Sequence, residues 1–187
     1  LAATNYAQDV LSGKIVAGKW ILLACERYLR DCEDDRFVMD VRAAEKTVNF
    51  IEKYLTHWEG IWAGKPIILE PWQKFIIQQV FGWKWRESGL RRFRSAYVQV
   101  ARKNAKTTLI GACGIAHLMV DDENSPQILV GANNEDQAKI CVNTQGRIIA
   151  GSSRLSGMVG HEIALYKYKD NIINITYEDT IEVDGEQ

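Results

Sequence analysis

Apolar positions recur at helical spacing through the first third of the chain. Residues Asn5–Leu11 form a short periodic run closed by Ser12-Gly13, which predicts a first helix. A second is predicted over Lys14–Arg30, with Ile15, Ile21, Leu22, Cys25 and Leu29 on one stripe, before the acidic run Asp31–Asp35 reads as a polar loop. Val41, Ala44, Val48, Ile51 and Leu55 predict a third helix over Val41–Leu55, with Asp40 as its N-cap. Gly60 and Gly64-Lys65-Pro66 then punctuate the chain. After the short apolar segment Ile67-Ile68-Leu69, Pro71 is placed to open a helix through Gln73–Phe81.

The pattern then changes. Ala96–Ala101 alternates small, aromatic and β-branched residues and predicts a strand. A polar loop, Arg102–Ala105, separates it from a helix over about Lys106–Met119, and Asp121–Asn124 with Ser125-Pro126 reads as a turn. Gln127–Val130 is nearly all apolar, as a buried parallel strand would be. Asn133 is the expected N-cap of a helix reaching Ile149, with Asp136 in its first turn. Gly151–Gly157 reads as a loop, and Ile172–Ile175 and Thr180–Val183 as two further strands. Strand–helix–strand–helix order predicts an α/β fold with a parallel sheet. Residues 1–65 are expected to form a helical N-terminal region, and 66–187 the core that follows.

Composition narrows the class. The chain has 187 residues, 47% apolar and 25% charged, as soluble globular proteins do. A formal charge of -1 argues against a broadly basic nucleic-acid coat and leaves local patches open. The four cysteines, Cys25, Cys32, Cys113 and Cys141, lack zinc spacing and read as free thiols of a reducing compartment. No secretion signal and no membrane span is expected. His57, His117 and His161 are scattered without metal-ligand spacing.

The chemistry concentrates at strand, short polar loop, Lys-Thr-Thr, helix. A phosphate chain needs backbone N–H groups at a helix N-terminus, a lysine for the outer phosphates and a hydroxyl for magnesium. Lys106 and Thr107 are placed for those tasks, and Arg102 adds a second cation. Val100 and Ala105 stand where the pattern G-x-x-x-x-G-K-[ST] has glycines.

The stretch Val100-Ala101-Arg102-Lys103-Asn104-Ala105-Lys106-Thr107 resembles the deviant Walker A loop of tailed-phage large terminase subunits. Leu69-Glu70-Pro71-Trp72-Gln73-Lys74-Phe75 is similar to that family's adenine-recognition segment. Val130–Ala138 resembles the strand-to-helix segment that follows in these motors, and Tyr6–Val10 with Gly13–Val16 the helical lead-in. The resemblance implies a P-loop ATPase of the additional-strand type that packages viral DNA into a procapsid. It implies ATP and Mg2+ as cofactors. Lys106 would contact the β- and γ-phosphates, Thr107 the metal, and Arg102 the γ-phosphate. Gln73 would read adenine, and Lys103, Asn104, Ala105 and Thr108 complete the nucleotide set. Implied partners are double-stranded DNA, a portal protein, the terminase small subunit and further copies in a ring, within the cytoplasm of a bacterial host.

The same family requires a Walker B strand and a catalytic glutamate. The candidates, Ile181-Glu182-Val183-Asp184 and Tyr177-Glu178-Asp179, lack the apolar run that should precede the carboxylate. The chain is therefore expected to be a fragment, with hydrolysis and endonuclease activity belonging to the complete protein. Two other readings share these features: a helicase-like DNA translocase, and a non-catalytic docking module with a degenerate loop. The basic and aromatic cluster Lys84, Trp85, Arg86, Arg91, Arg92 and Arg94 reads either as a DNA contact or as a solvated hairpin. Arg147 and Arg154 are weaker candidates for acting on a neighbouring subunit's nucleotide.

Overall fold

The computed structural model describes residues 1–121, 126–152 and 155, and the backbone of 163–167 and 173–177. It divides into two compact units: Leu1–Glu52 with Ile68–Ala101, and Lys53–Ile67 with Arg102–Gln187.

In the first unit, α1 (Ala2–Leu11) packs on α2 (Lys19–Cys32) and α4 (Pro71–Gly82). The strand β1 (Phe37–Met39) precedes α3 (Val41–Tyr54), and β2 (Trp83–Trp85) pairs antiparallel with β1, Phe37 opposite Trp85. The core holds Tyr6, Cys25, Tyr28, Phe37, Phe75 and Trp83. Their apolar faces leave water together, which is the main term favouring this unit. Buried Gln78 ties the helices: its Oε1 accepts the Ala3 N–H at 2.7 Å, and its Nε2 donates to Glu45 Oε1 at 3.1 Å. A bonded amide of this kind escapes the desolvation cost of burial.

Two predicted bounds shift for local reasons. The second helix begins at Lys19, not Lys14, because Gly13 turns the chain at φ 79° and Gly18 is extended. Asp31 is not part of a polar loop. It lies in the last turn of α2, 4% exposed, where Arg92 grips it through Nη2–Oδ1 at 3.1 Å and Nη1–Oδ2 at 2.6 Å. The Arg92 guanidinium also stands 3.6 Å from the centroid of the Phe37 ring. Asp40 does cap α3, accepting the Ala43 N–H at 3.0 Å, and it also receives Lys84 Nζ at 2.6 Å. Lys84 first, then the Ala43 N–H, holds the Asp40 carboxyl below its ordinary range.

The basic cluster after α4 is thus largely spent within its own unit. Beyond Lys84 and Arg92, Arg86 donates to the carbonyls of Asp35 and Phe37, and Arg91 stacks on Phe81. Arg94 is exposed.

In the second unit, α5 (Lys106–Val120) packs on α6 (Glu135–Gly151). The helices approach closely because Gly111 and Gly114 lie against Gln145: a Cβ at Gly114 would stand 2.4 Å from Gln145 Nε2. The N-cap of α6 is Asn134 rather than the expected Asn133, its side chain accepting the Gln137 N–H at 2.9 Å. Strand β3 (Ile128–Val130) falls where a strand was predicted. With β4 (Ile163–Lys167) and β5 (Ile173–Tyr177) it forms a sheet in the order β3-β5-β4.

The helix and strand content fits an α/β fold, and two sheet expectations are not met among the described residues. The pairings β1–β2, β3–β5 and β4–β5 are all antiparallel, so the parallel sheet is not present among the described residues. Ala96–Ala101 is not a strand in the structure; Val98 and Val100 are half-buried and Ala96, Tyr97, Gln99 and Ala101 exposed, and no ladder joins the segment to the described strands. Alternation marks a chain suited to a pleat, and only a partner elsewhere makes it one. The predicted strand Thr180–Val183, the turn at 122–125, and His161 and Arg154 lie outside the described residues, as does most of the loop 151–157.

The four cysteines are free. Burial pushes the Cys25 thiol up to about 11 and the Cys113 thiol up to about 12, so neither carries reactive thiolate near neutrality. No helix among the described residues is long and apolar enough to cross a membrane.

Candidate nucleotide-binding site

Residues Arg102–Thr108 run continuously from an exposed loop into the first turn of α5. Lys103 and Ala105 adopt left-handed backbone conformations, with φ of 65° and 51°, and the residue between them does not. The Asn104 side chain donates to the Arg102 carbonyl at 3.2 Å and holds the loop folded. A reversal of backbone hand on successive residues turns N–H groups toward one side, forming a concavity suited to an anion. Ala105 is the N-cap of α5 but supplies no side-chain cap, and the helical ladder begins with Leu109 N–H to Ala105 O at 2.8 Å. The first turn of any helix leaves its N–H groups without intrahelical carbonyls, and the dipole there favours negative charge.

The side chains suit the same role. Arg102, Lys103, Asn104 and Ala105 are exposed, while Lys106, Thr107 and Thr108 are half-buried against the helix they open. Buried Leu109, Ala112, Ile115 and Ala116 anchor α5 below them. The Thr107 hydroxyl makes no hydrogen bond to another described residue.

Ala105 stands where the phosphate-loop pattern has glycine, and φ of 51° is the conformation in which glycine costs nothing. For alanine it costs about 1 kcal/mol. Ala105→Gly is therefore expected to leave thermal stability equal or higher, by up to ~1 kcal/mol, measured by urea titration. A loss exceeding that amount would show that the left-handed conformation is wrong.

Gln73 belongs to the other unit. It is buried at the third position of α4, 6% exposed, and Pro71 occupies the first turn as expected. Glu70 closes a reciprocal capping box with it, the Glu70 N–H donating to Gln73 Oε1 at 2.8 Å. An acceptor three residues before Gln73, ahead of an apolar run, is the local signal for this bond in the sequence. Residues 178–184, which hold the Walker B candidates, lie outside the described residues, apart from Tyr177 in the backbone of β5.

Residues 71–182, more than half of the chain, match the family described as terminase large subunit, ATPase domain. The chain is also similar to the "Terminase, large subunit" of Enterobacteria phage HK97, 32% identical over 116 residues, which is 62% of this chain and 22% of that protein. It thus spans less than a quarter of that relative's length. No solved structure matches. The chain belongs to the ATPase-domain family of terminase large subunits.

Proposed function

We propose that the chain is the nucleotide-gripping front part of a motor that uses ATP to package viral DNA into a procapsid. The observation that carries this reading is the twice-reversed loop at Lys103 and Ala105, opening straight into α5 at Lys106-Thr107. Residues 66–187 are read as the first part of a P-loop core of the additional-strand type, and 1–65 as its helical lead-in.

In this reading the N–H groups at the start of α5 receive the phosphate chain. Lys106 neutralises the β- and γ-phosphates, and Arg102 faces the γ-phosphate. Lys103, Asn104, Ala105 and Thr108 shape the remaining cradle. Thr107 would hold Mg2+ through its hydroxyl, and the metal supplies charge that offsets the crowded phosphate oxygens. Gln73 would present its amide to adenine; Glu70 occupies part of its carbonyl, and the Nε2 donors remain for the base. Double-stranded DNA, a portal protein, the small subunit and further copies in a ring are the partners of the complete motor in a bacterial cytoplasm. Its hydrolytic glutamate and endonuclease activity are assigned to the complete protein.

Calorimetric titration with Mg-ATP tests the assignment. The parent chain is expected to bind, and Lys106→Ala to bind at least about tenfold more weakly, a difference of ~1.4 kcal/mol or more. Equal binding by both proteins would remove Lys106 from the site. No binding by either would favour the docking-module reading.

A further inference from the structure

Between α3 and α4 the chain makes a short finger that the nucleotide site does not use. Leu55 and Ile67 close its base, the Ile67 N–H donating to Leu55 O at 2.9 Å. Thr56 pairs with Pro66 in an antiparallel bridge, and the His57 N–H donates to Lys65 O at 2.9 Å. Gly60 and Gly64, at φ of 68° and 78°, allow the tight tip. The finger is fastened to the end of α6, where Ser152 Oγ donates to Tyr54 O at 2.7 Å.

Its tip is apolar and open to water: Ile61 is 84% exposed and Trp62 is 56% exposed. Cations sit on its rings. Lys65 Nζ lies 4.7 Å from the Trp62 ring, Arg147 Cζ 4.3 Å from Trp58, and Lys53 Nζ 5.1 Å from Tyr54. Several basic groups elsewhere meet carboxylates: Lys84 meets Asp40, Arg92 meets Asp31, and Lys74 meets Glu52; Lys19 and Arg91 lie singly over the rings of Trp20 and Phe81. Lys53, Lys65 and Arg147 have ring faces in place of carboxylates among the described residues. Glu59 is the one acidic side chain of residues 53–67.

An exposed ring beside cations that meet no carboxylate among the described residues suits a polyanion whose sugars offer an apolar face. We propose that this finger, with Arg147, is a DNA-contact surface: Lys53, Lys65 and Arg147 meet phosphates, and Trp62 packs on the sugar backbone. The proposal rests on the reading of the chain as part of a DNA motor. Cations already poised on aromatic rings lose little side-chain freedom on meeting a phosphate, and contacts to phosphate and sugar carry no sequence information. A machine that moves along DNA needs contacts that do not read sequence, and backbone charge with packing on sugars supplies them.

The test is fluorescence anisotropy of a short labelled duplex DNA titrated with the 187-residue chain across a salt series. Trp62→Ala is expected to weaken binding on the order of tenfold. Lys65→Gln is expected to reduce the slope of log affinity against log salt by about one. Trp20→Ala, which removes a 79% exposed tryptophan on α2, is expected to bind as the parent does. Thermal melts should coincide for all four proteins, since each substitution is at the surface. The proposal is overturned if Trp62→Ala and Lys65→Gln keep the parent's affinity and salt slope, if Trp20→Ala loses as much as they do, or if the parent binds no DNA. Mg-ATP titration of the same samples separates the two readings. Finger-dependent DNA binding without nucleotide binding would retire the ATPase assignment alone, and nucleotide binding with finger-independent DNA binding would retire the finger alone.

Discussion

Arg92→Ala is expected to destabilise the first unit by about 3–5 kcal/mol, the range for breaking one half of a buried ion pair. The Arg92 side chain is 15% exposed and the Asp31 side chain 5%, so removing the guanidinium strands a carboxylate away from water. The planar fork makes two contacts to that carboxylate and lies over the Phe37 ring. Arg92→Lys keeps the charge but neither the fork nor the flat stacking surface, so it should recover only part of the loss. Urea unfolding followed by near-UV ellipticity checks both variants. A loss below about 1 kcal/mol for Arg92→Ala would place Arg92 among surface ion pairs and return it to the pool of DNA-contact candidates.

Phe75→Ala should cost a similar amount, about 3–5 kcal/mol, by opening a cavity at the middle of the same core. Phe75 is 5% exposed, with ring centroids 5.0 Å from Tyr6 and 5.7 Å from Tyr28. It therefore joins α4 to α1 and α2 in one contact. Both ring partners lie on separate helices, so the hole cannot close by moving a single side chain. Because α4 carries Gln73 two residues earlier, the variant also tests the proposed adenine contact. If Gln73 reads adenine, the apparent affinity for ATP should fall more than that for inorganic triphosphate. An unfolding midpoint equal to the parent's would contradict the core described here.

The helices were legible because their signals are local. Val41, Pro71, Lys106 and the start of α6 carry a cap, a proline or a charged first turn within three residues. A cap is decided by a few neighbouring atoms, so the error at α6 is one residue, Asn134 for Asn133. The proposed phosphate loop was legible for the same reason, since Arg102 to Thr107 forms one continuous stretch. What the pattern could not say is how a chain without glycine at 105 would fold there. The structure places Ala105 in the left-handed conformation that glycine favours.

The missed features depend on partners distant in sequence. Asp31 looked like part of a solvated acidic run until Arg92, 61 residues on, folded over it. Lys84 and Arg86 looked available for DNA until Asp40 and the carbonyls of Asp35 and Phe37 engaged them. The finger at 55–67 registered only as glycine and proline punctuation, because its cation–ring pairs include Arg147 on α6. Strand pairing is the clearest case. Ala96–Ala101 has the alternation of a strand and no ladder to the described strands, whereas β4 went unpredicted yet pairs in register with β5, Ile163 opposite Tyr177.

By itself, then, the order of residues determined which segments are helical, where α4, α5 and α6 begin, and which loop has the residues to grip phosphate. Each depends on backbone and side-chain chemistry within a turn or two. The tertiary structure alone decided the direction of the strands, the burial of Asp31, the neutralisation of the basic hairpin, and the cations left facing rings on the finger. Those outcomes are set by pairings between distant residues, whose gain appears only after the chain has closed the loops between them.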